Sequence, residues 1–467
     1  MSRTTRTRTL IVGAGMTGLS VLRHLGERDA LTLVDTRAEV VPESVRAAYP
    51  SVRFCLGDAA TRELAQFDHL AAEFDRAVVS PGLDDDHWLV ALVRDSGVPL
   101  CTDIDLFFAA LDGVVDARVI GVTGTNGKST VTDLTARLFA GIGLTASAGG
   151  NLGPAALDLL ASPCQVYVLE LSSFQLARSA AGRFAAATIL NLQPDHLDYH
   201  GSMDAYAAAK QRIYLRAEVA VSNRDDAATQ PALTDLKHCS FGLNLPPHGG
   251  VGVAEQDGRS QLALAVSRGA APIAVLNADA LQLAGSHNLS NVLASLALVM
   301  AVVPDIDARQ ATQLARVLRD YRGLPHRCEP VAELDGVRYI NDSKATNVGA
   351  TVAAVEGLRA ETRGQLLLLL GGDSKGADFA ALADVVVTGV RAAFVYGSAA
   401  SELAKVLHSA VATRRHETLM EALDAARELA HPGDCVLLSP ACASFDQFAN
   451  FAARGDAFRD YVQELAA

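Results

Sequence analysis

The chain has 467 residues, 50% of them hydrophobic and 20% charged, which suits roughly two to four packed domains and excludes a disordered polymer. A formal net charge of −13 disfavours general nucleic-acid binding, because that affinity rests on neutralising phosphates with Lys and Arg. Seven scattered cysteines without a Cys-x-x-Cys pair argue against a disulfide framework or a structural zinc site. The longest apolar stretch, Val292 to Val303, contains Ser295 and is too short to span a bilayer, so no membrane partner is expected. The first ten residues carry three Arg and no apolar core of signal-peptide length, and they read as a frayed tail. A cytoplasmic location is the expectation.

In chain order, a first strand is expected at Leu10 to Val12, followed by Gly13, Gly15 and Gly18 and by a helix from Leu19 to Leu25. A second strand, Leu31 to Val34, ends at Asp35, Thr36 and Arg37. This is the Gly-x-Gly-x-x-Gly dinucleotide fingerprint with an acid at the tip of the second strand. Alone it suggests an NAD enzyme, and a single fingerprint is weak ground for a ligand. Arg76 to Gly82 forms a further strand and turn, and Leu100 and Cys101 a last short strand. The first domain is therefore placed at 1–102.

The second domain, 103–323, holds the most informative stretch. The apolar run Val119 to Val122 leads through a glycine-rich loop to Lys128, Ser129 and Thr130, and then into a helical pattern from Val131 to Phe139. Strand, glycine loop and helix in that order make a phosphate cradle. Loop N–H groups and the positive helix end face an anion, Lys128 adds a charge, and Ser129 or Thr130 can hold Mg²⁺. The spacing departs by one residue from Gly-x4-Gly-Lys, since Gly121 lies six before Gly127.

Gly149 to Asn151 reads as a turn after a weaker strand. The apolar run Gln165 to Leu171 has Glu170 near its carboxyl end, where a parallel sheet meets its ligand and an acid can bind metal directly or through water. A buried ion pair is the alternative for Glu170. The strand Ala186 to Asn191 delivers Asp195, His196 and Asp198 to the same edge, and His196 is favoured there over a structural histidine. Lys210, on an alanine-rich helix from Asp204 to Tyr214, reads by pattern as a solvated surface lysine. Pro246 to Ala271 suggests a peripheral hairpin region. Asn288 and Asn291 precede the apolar helix Val292 to Val303 and suit either a base edge or a helix cap.

Gly323 to His326 looks like a hinge into a third domain, 324–467, of alternating strands and helices. Its loops at 342–347, 371–378 and 439–444 all leave the carboxyl ends of strands. Lys344, Lys375 and Ser444 can there bind an acidic small molecule. The fold class is α/β in three parts: a Rossmann-like domain, a central phosphate-loop domain with a mostly parallel sheet, and a second Rossmann-like domain.

Eight motifs resemble those of the Mur ligase family. They are Val122-Thr-Gly-Thr-Asn-Gly-Lys-Ser-Thr130, Leu169 to Gln175, Asp195 to Asp198, Ala209 to Tyr214, Gly285 to Asn288, Gly323 to Arg327 and Asn341 to Asn347, with Leu438 to Phe445 as an eighth in the same order. They span the chain, and the third-domain motifs resemble the branch that adds glutamate. The off-register glycine is a feature of this family's ATP loop. Where Ser374 stands the family more often has Gly.

The resemblance implies that ATP phosphorylates the carboxylate of UDP-N-acetylmuramoyl-L-alanine and that the amine of D-glutamate then displaces phosphate. It implies an ATP site made by Gly124, Thr125, Asn126, Gly127, Lys128, Ser129 and Thr130, with Asn288 and Asn291 at adenine and Arg327, Asp342 and Lys344 from the third domain. Ser129 and Glu170 would hold one Mg²⁺, and Glu170 and His196 a second, oriented by Lys210 as a carbamate. Lys128, His196 and Lys210 would be catalytic. Thr17, Asp35, Thr36 and Arg37 would bind the UDP end of the precursor, and Asn151 and Ser172 its muramoyl end. Thr346, Lys375, Ser444 and Phe451 would form the glutamate pocket. A monomer is expected. Rival readings are another Mur ligase, an NAD-dependent oxidoreductase built on Gly13, Gly15, Gly18 and Asp35, and a non-catalytic nucleotide-binding module.

Overall fold

A computed structural model describes residues 6–466 except 59–61, 63, 65–69, 115–116, 152, 181, 234, 257, 267 and 284. The tail expected at the start falls, over residues 1–5, outside the described residues. Three sheets follow one another along the chain.

The first comprises β1 (Arg8–Val12), β2 (Ala30–Asp35), β3 (Arg53–Leu56), β4 (Arg76–Val79) and β5 (Leu100–Cys101), in the order β3-β2-β1-β4-β5. All four pairings are parallel. Strand order reverses beside β1, and an open α/β sheet binds its ligand in the crevice at such a point. The helix after β1 starts at Met16, within the fingerprint, and ends at Leu25.

The central sheet holds β6 (Arg118–Thr123), β7 (Ala146–Gly150), β8 (Val166–Glu170), β9 (Ala186–Ile189), β10 (Val219–Asn223), β11 (Lys237–Phe241), β12 (Gly250–Gln256), β13 (Arg259–Leu264) and β14 (Ile273–Asn277). Its order is β14-β13-β12-β11-β10-β9-β6-β8-β7. Strands β6 to β12 run parallel, and β12, β13 and β14 form the antiparallel hairpin margin expected between Pro246 and Ala271. The strands β6, β8 and β9 are buried on both faces, which explains why they read as unbroken apolar runs. Register puts Val122 beside Glu170 and Thr123 beside Ile189, so the phosphate loop, Glu170 and the segment after β9 leave one edge together.

On one face the helices Lys128–Gly141, Ser286–Val302 and Ala308–Asp320 close the core around Leu134, Leu138, Leu296 and Leu314. On the other, a single apolar cluster joins Val21 and Leu22 of the first domain to Leu157, Tyr167 and Leu169 of the second. Burial without a break across that boundary favours one fixed relation between the two.

The third sheet comprises β15 (Glu329–Leu334), β16 (Val337–Asn341), β17 (Leu366–Gly371), β18 (Val390–Tyr396), β19 (Ala412–Arg415) and β20 (Cys435–Leu438), in the order β15-β16-β20-β17-β18-β19. Only β15 and β16 pair antiparallel. Among the described residues no helix is long and apolar enough to cross a membrane.

Candidate active site

A cleft of about 490 Å³ opens between the central and third domains. It is lined by Thr125 to Thr130, Asn151, Glu170, His196, Asn288 and Asn291 on one side, and by Arg327, Asp342, Lys344 and Thr346 on the other. The loop after β6 turns left-handed at Gly127, with φ 81°. A Cβ there would collide with the Asn291 amide, so this backbone position is closed to side chains. Asn191 clamps the loop from the neighbouring strand end, accepting from Asn126 N at 2.8 Å and donating to Asn126 O at 3.1 Å.

Among the described residues Lys128 has no hydrogen-bonded carboxylate partner. Its Nζ donates to Gly124 O at 3.0 Å and Thr125 O at 2.7 Å, and burial lowers its pKa despite the nearby charges of Glu170 and Asp195. Ser129 sits in a relay: Arg327 Nη2 donates to its Oγ at 2.6 Å, and the Oγ donates to Glu170 Oε2 at 2.6 Å. Asn151 Nδ2 donates to the other carboxylate oxygen at 2.8 Å. The cation expected as the alternative partner of Glu170 is thus present only at one remove, through the Ser129 hydroxyl.

Lys210 corrects the expectation from pattern. It is 1% exposed, not a surface residue, because its helix turns that face inward under the phosphate loop. Its Nζ donates to Gly124 O at 2.9 Å and Thr123 Oγ1 at 3.3 Å and lies 4.6 Å from the centre of the Tyr206 ring. Burial, with Lys128 as a like charge, depresses its pKa well below that of an ordinary lysine.

His196 lines the cleft in a left-handed conformation, φ 53°, with its ring about half exposed and its Nε2 3.7 Å from Asp195 Oδ2. Among the described residues no three His, Cys, Asp or Glu side chains gather as a metal site.

A family model for the Mur ligase middle domain matches residues 122–299, one for the Mur ligase glutamate ligase domain matches 326–442, and one for a Mur ligase MurD-like N-terminal domain matches 7–102. The chain belongs to the Mur ligase family. It is 42% identical to the UDP-N-acetylmuramoylalanine--D-glutamate ligases of Marinobacter nauticus and Pseudomonas aeruginosa, with 98% of each chain covered in both cases. Solved Mur ligases share the fold at lower identity. UDP-N-acetylmuramate-alanine ligase from Thermotoga maritima superposes with a TM-score of 0.61 at 16% identity, covering 98% of this chain and 99% of that one. MurF from Acinetobacter baumannii gives 0.62 at 18%, covering 98% and 93%.

The three-domain α/β architecture expected from sequence is that of this Mur ligase, and the loop residues Thr125 to Thr130 line one cleft with Glu170, His196, Arg327 and Lys344. Some residues are placed differently. Asn288 and Asn291 lie inside the helix Ser286–Val302 and not before it; Asn291 Nδ2 donates to Asn288 Oδ1 at 3.1 Å. The helix start is capped from the third domain, where Glu361 Oε1 accepts from Gly285 N at 2.7 Å. Ser172 lies outside the cleft lining, and its hydroxyl caps the helix Ser173–Arg178 in a capping box with Gln175. Asp342 lines the cleft with both oxygens engaged, by Cys328 N at 3.1 Å and Ser439 Oγ at 2.8 Å, and burial pushes its carboxyl up to about 7.

The expected trio of Lys344, Lys375 and Ser444 is divided. Lys344 lines the cleft between the central and third domains, 4.0 Å from the Phe451 ring centre, with its pKa lowered by burial to about 8. Lys375 and Ser444 lie outside that lining, on loops joined by backbone bonds between Asp373 and Ala443. Lys375 is exposed and stands 5.1 Å from the ring centre of Phe445, an exposed aromatic that ends the Leu438 to Phe445 motif and was assigned no role. Gln193 and His287 also line the cleft unannounced, since one lies on an irregular loop and the other carried no spacing signal.

In the first domain a second cleft, of about 350 Å³, is lined by Gly13, Gly15, Thr17, Asp35, Thr36 and Arg37 together with Ser80 to Leu83. Asp35 does not face it with a free carboxylate. Its oxygens accept from Ala14 N at 2.8 Å and from the Arg37 backbone and guanidinium at 2.9 Å. Burial opposes ionisation, yet the Arg37 guanidinium and the two N–H groups hold the Asp35 carboxyl down to about 2.

Gly127→Ala should lose about 1–3 kcal/mol of stability through the left-handed backbone and the Asn291 collision, read as a lower melting temperature. Asp342 gives a signed pH prediction. The folded carboxyl keeps its proton to about 7 and the unfolded one releases it near 3.8, so its contribution is full at low pH and is lost as pH rises through that window. Melting curves of Asp342→Asn should therefore gain on the parent as pH rises from about 4 to about 7; parallel curves would show the carboxyl ionised throughout.

Proposed function

We propose that this Mur ligase joins D-glutamate to UDP-N-acetylmuramoyl-L-alanine at the expense of ATP, in cytoplasmic synthesis of the peptidoglycan precursor. The observation that carries the reading is one cleft shared by the phosphate loop of the central domain and Arg327, Lys344 and Thr346 of the third. It occurs in a chain matched along 98% of its length by relatives named D-glutamate ligases.

A carboxylate is a poor electrophile for an amine. In the first step its oxygen attacks the γ-phosphorus of ATP, the bond to ADP breaks, and an acyl phosphate forms. In the second the glutamate nitrogen attacks the acyl carbon, phosphate leaves with the carbon–oxygen electron pair, and the nitrogen gives up a proton. Both steps bring anions together, so the protein's part is positioning and charge neutralisation. Lys128 has only carbonyl partners and is free to turn to phosphate oxygens. Arg327 and Lys344 approach from the opposite wall. Asn288 and Asn291 offer amides to the base, and Thr346, Lys375, Ser444 and Phe451 receive the amino acid. The first-domain cleft takes the uridine end through Thr17, Thr36 and Arg37, with Asp35 acting by holding Arg37 and the Gly13–Gly15 turn in place.

Ser129 and Glu170 fit a magnesium ion: a hydroxyl and a carboxylate, both buried and 2.6 Å apart, give hard oxygen donors beside the loop. When bound, Mg²⁺ would neutralise the phosphate oxygens and draw charge from the transferred phosphorus. Glu170 and His196 would share a second ion. Lys210 fits carbamylation, since a depressed pKa raises the uncharged, nucleophilic fraction of the amine, and the resulting anion would ease its opposition to Lys128. The enzyme is read as a monomer.

Phosphate release should require UDP-N-acetylmuramoyl-L-alanine and D-glutamate together, with L-glutamate inactive; release that needs a precursor already carrying glutamate would overturn the assignment. Lys210→Ala should lose at least about 10²-fold in turnover, the scale of one preorganised charge at a developing anion, and regain part of it with added short carboxylates. Full activity without rescue would make Lys210 purely structural.

A further inference from the structure

The two clefts lie in different domains, and one precursor molecule must occupy both. Arg178 joins their walls. It is the last residue of the helix Ser173–Arg178, which begins three residues after Glu170. Its guanidinium leaves that domain: Nη1 donates to Ser80 O at 3.3 Å, and Nη2 donates to Leu83 O at 2.5 Å and Asp85 Oδ1 at 2.7 Å. Ser80 and Leu83 bracket the Pro81–Gly82 turn that walls the first-domain cleft. Ser80 Oγ also donates to Gly13 O, within the glycine turn of that cleft, at 3.2 Å.

On its other side the same short helix meets the segment after β9. Phe174 packs edge-on against His196, with ring centres 5.0 Å apart, and against Tyr199 at 4.5 Å. Tyr199 OH in turn donates to Asp85 Oδ2 at 3.5 Å. The helix is thus wedged between the wall of one cleft and a histidine of the other.

Magnitudes decide which contact matters. The Asp85 side chain is 59% exposed and the Arg178 side chain 16%. A half-exposed ion pair contributes little, whereas two loop carbonyls held by one largely buried guanidinium fix backbone. We propose that Arg178 is a positioning residue for the uridine-nucleotide precursor: it sets the wall at Ser80 to Leu83 at a fixed distance from the phosphate-loop edge. The proposal rests on the reading that the first-domain cleft takes that precursor. Without the tether, ordering of the turn would be charged against binding of that one substrate.

Calorimetric titration of the parent enzyme with UDP-N-acetylmuramoyl-L-alanine in the absence of ATP comes first, because failure to bind would remove the underlying reading and the proposal with it. Arg178→Met should then weaken precursor affinity, and raise its KM, by about tenfold or more, the scale of a lost hydrogen bond to a charged group. KM for ATP and for D-glutamate should stay within about twofold, inside the range of a contact that is not made. Arg178→Lys keeps the charge but cannot span both carbonyls, and should give an intermediate loss confined to the precursor. Unchanged precursor affinity in Arg178→Met, with the parent binding normally, overturns the coupling alone. Equal weakening of all three substrates in either variant, alongside a lowered melting temperature, also overturns it and makes Arg178 a general structural residue.

Discussion

One carbonyl oxygen organises the central domain. Gly124 O accepts from Lys128 at 3.0 Å and from Lys210 at 2.9 Å, so two lysines converge on a single backbone acceptor. Among the described residues neither has a hydrogen-bonded carboxylate, and the charge of Lys128 lowers the preference of Lys210 for the charged form. Charging both at once is costly there, and the cost falls on Lys210, which is 1% exposed beneath the loop. The glycine makes the convergence possible: its φ of 147° aims the carbonyl back under the loop, a conformation closed to other residues.

The third domain adds Arg327 to the charge arrangement, with the buried Asp342 carboxyl beside it. Arg327 reaches Ser129, and Ser129 reaches Glu170, so cation and anion are linked through a neutral hydroxyl. Asn347 meets Asp195 at 3.4 Å along the same seam. The hydrogen bonds named across this seam are polar, whereas the first and second domains share an apolar cluster. Polar interfaces of that kind suit a boundary that must admit nucleotide; apolar ones suit a boundary that must not move.

Much of this was legible in the sequence. Strands buried on both faces announce themselves as apolar runs, and the glycine spacing marks the two phosphate-type turns, so the sheets and the loop from Gly124 to Thr130 were readable. Glu170 was readable because a carboxylate at the end of an apolar strand has few other uses. Lys210 was not, since an alanine-rich helix gives no sign of which face is covered; only the fold brings Gly124 and Tyr206 over it. Ser172 has the residue type of a ligand contact, but its spacing to Gln175 is that of a capping box, and the local bond won. Arg178 and Asp85 are far apart in sequence and carry no motif, so their meeting is a property of the packed domains.

The contact between Glu361 and Gly285 N extends this point. The helix that carries Asn288 and Asn291 into the cleft begins in the central domain, yet the acceptor at the residue before its first turn comes from the third. A fragment ending before residue 324 would keep every residue of that helix and present its start bare to water. The seams that divide this chain into three sheets are therefore poor places to cut it: the cleft wall is finished by a residue that lies on the far side of the boundary.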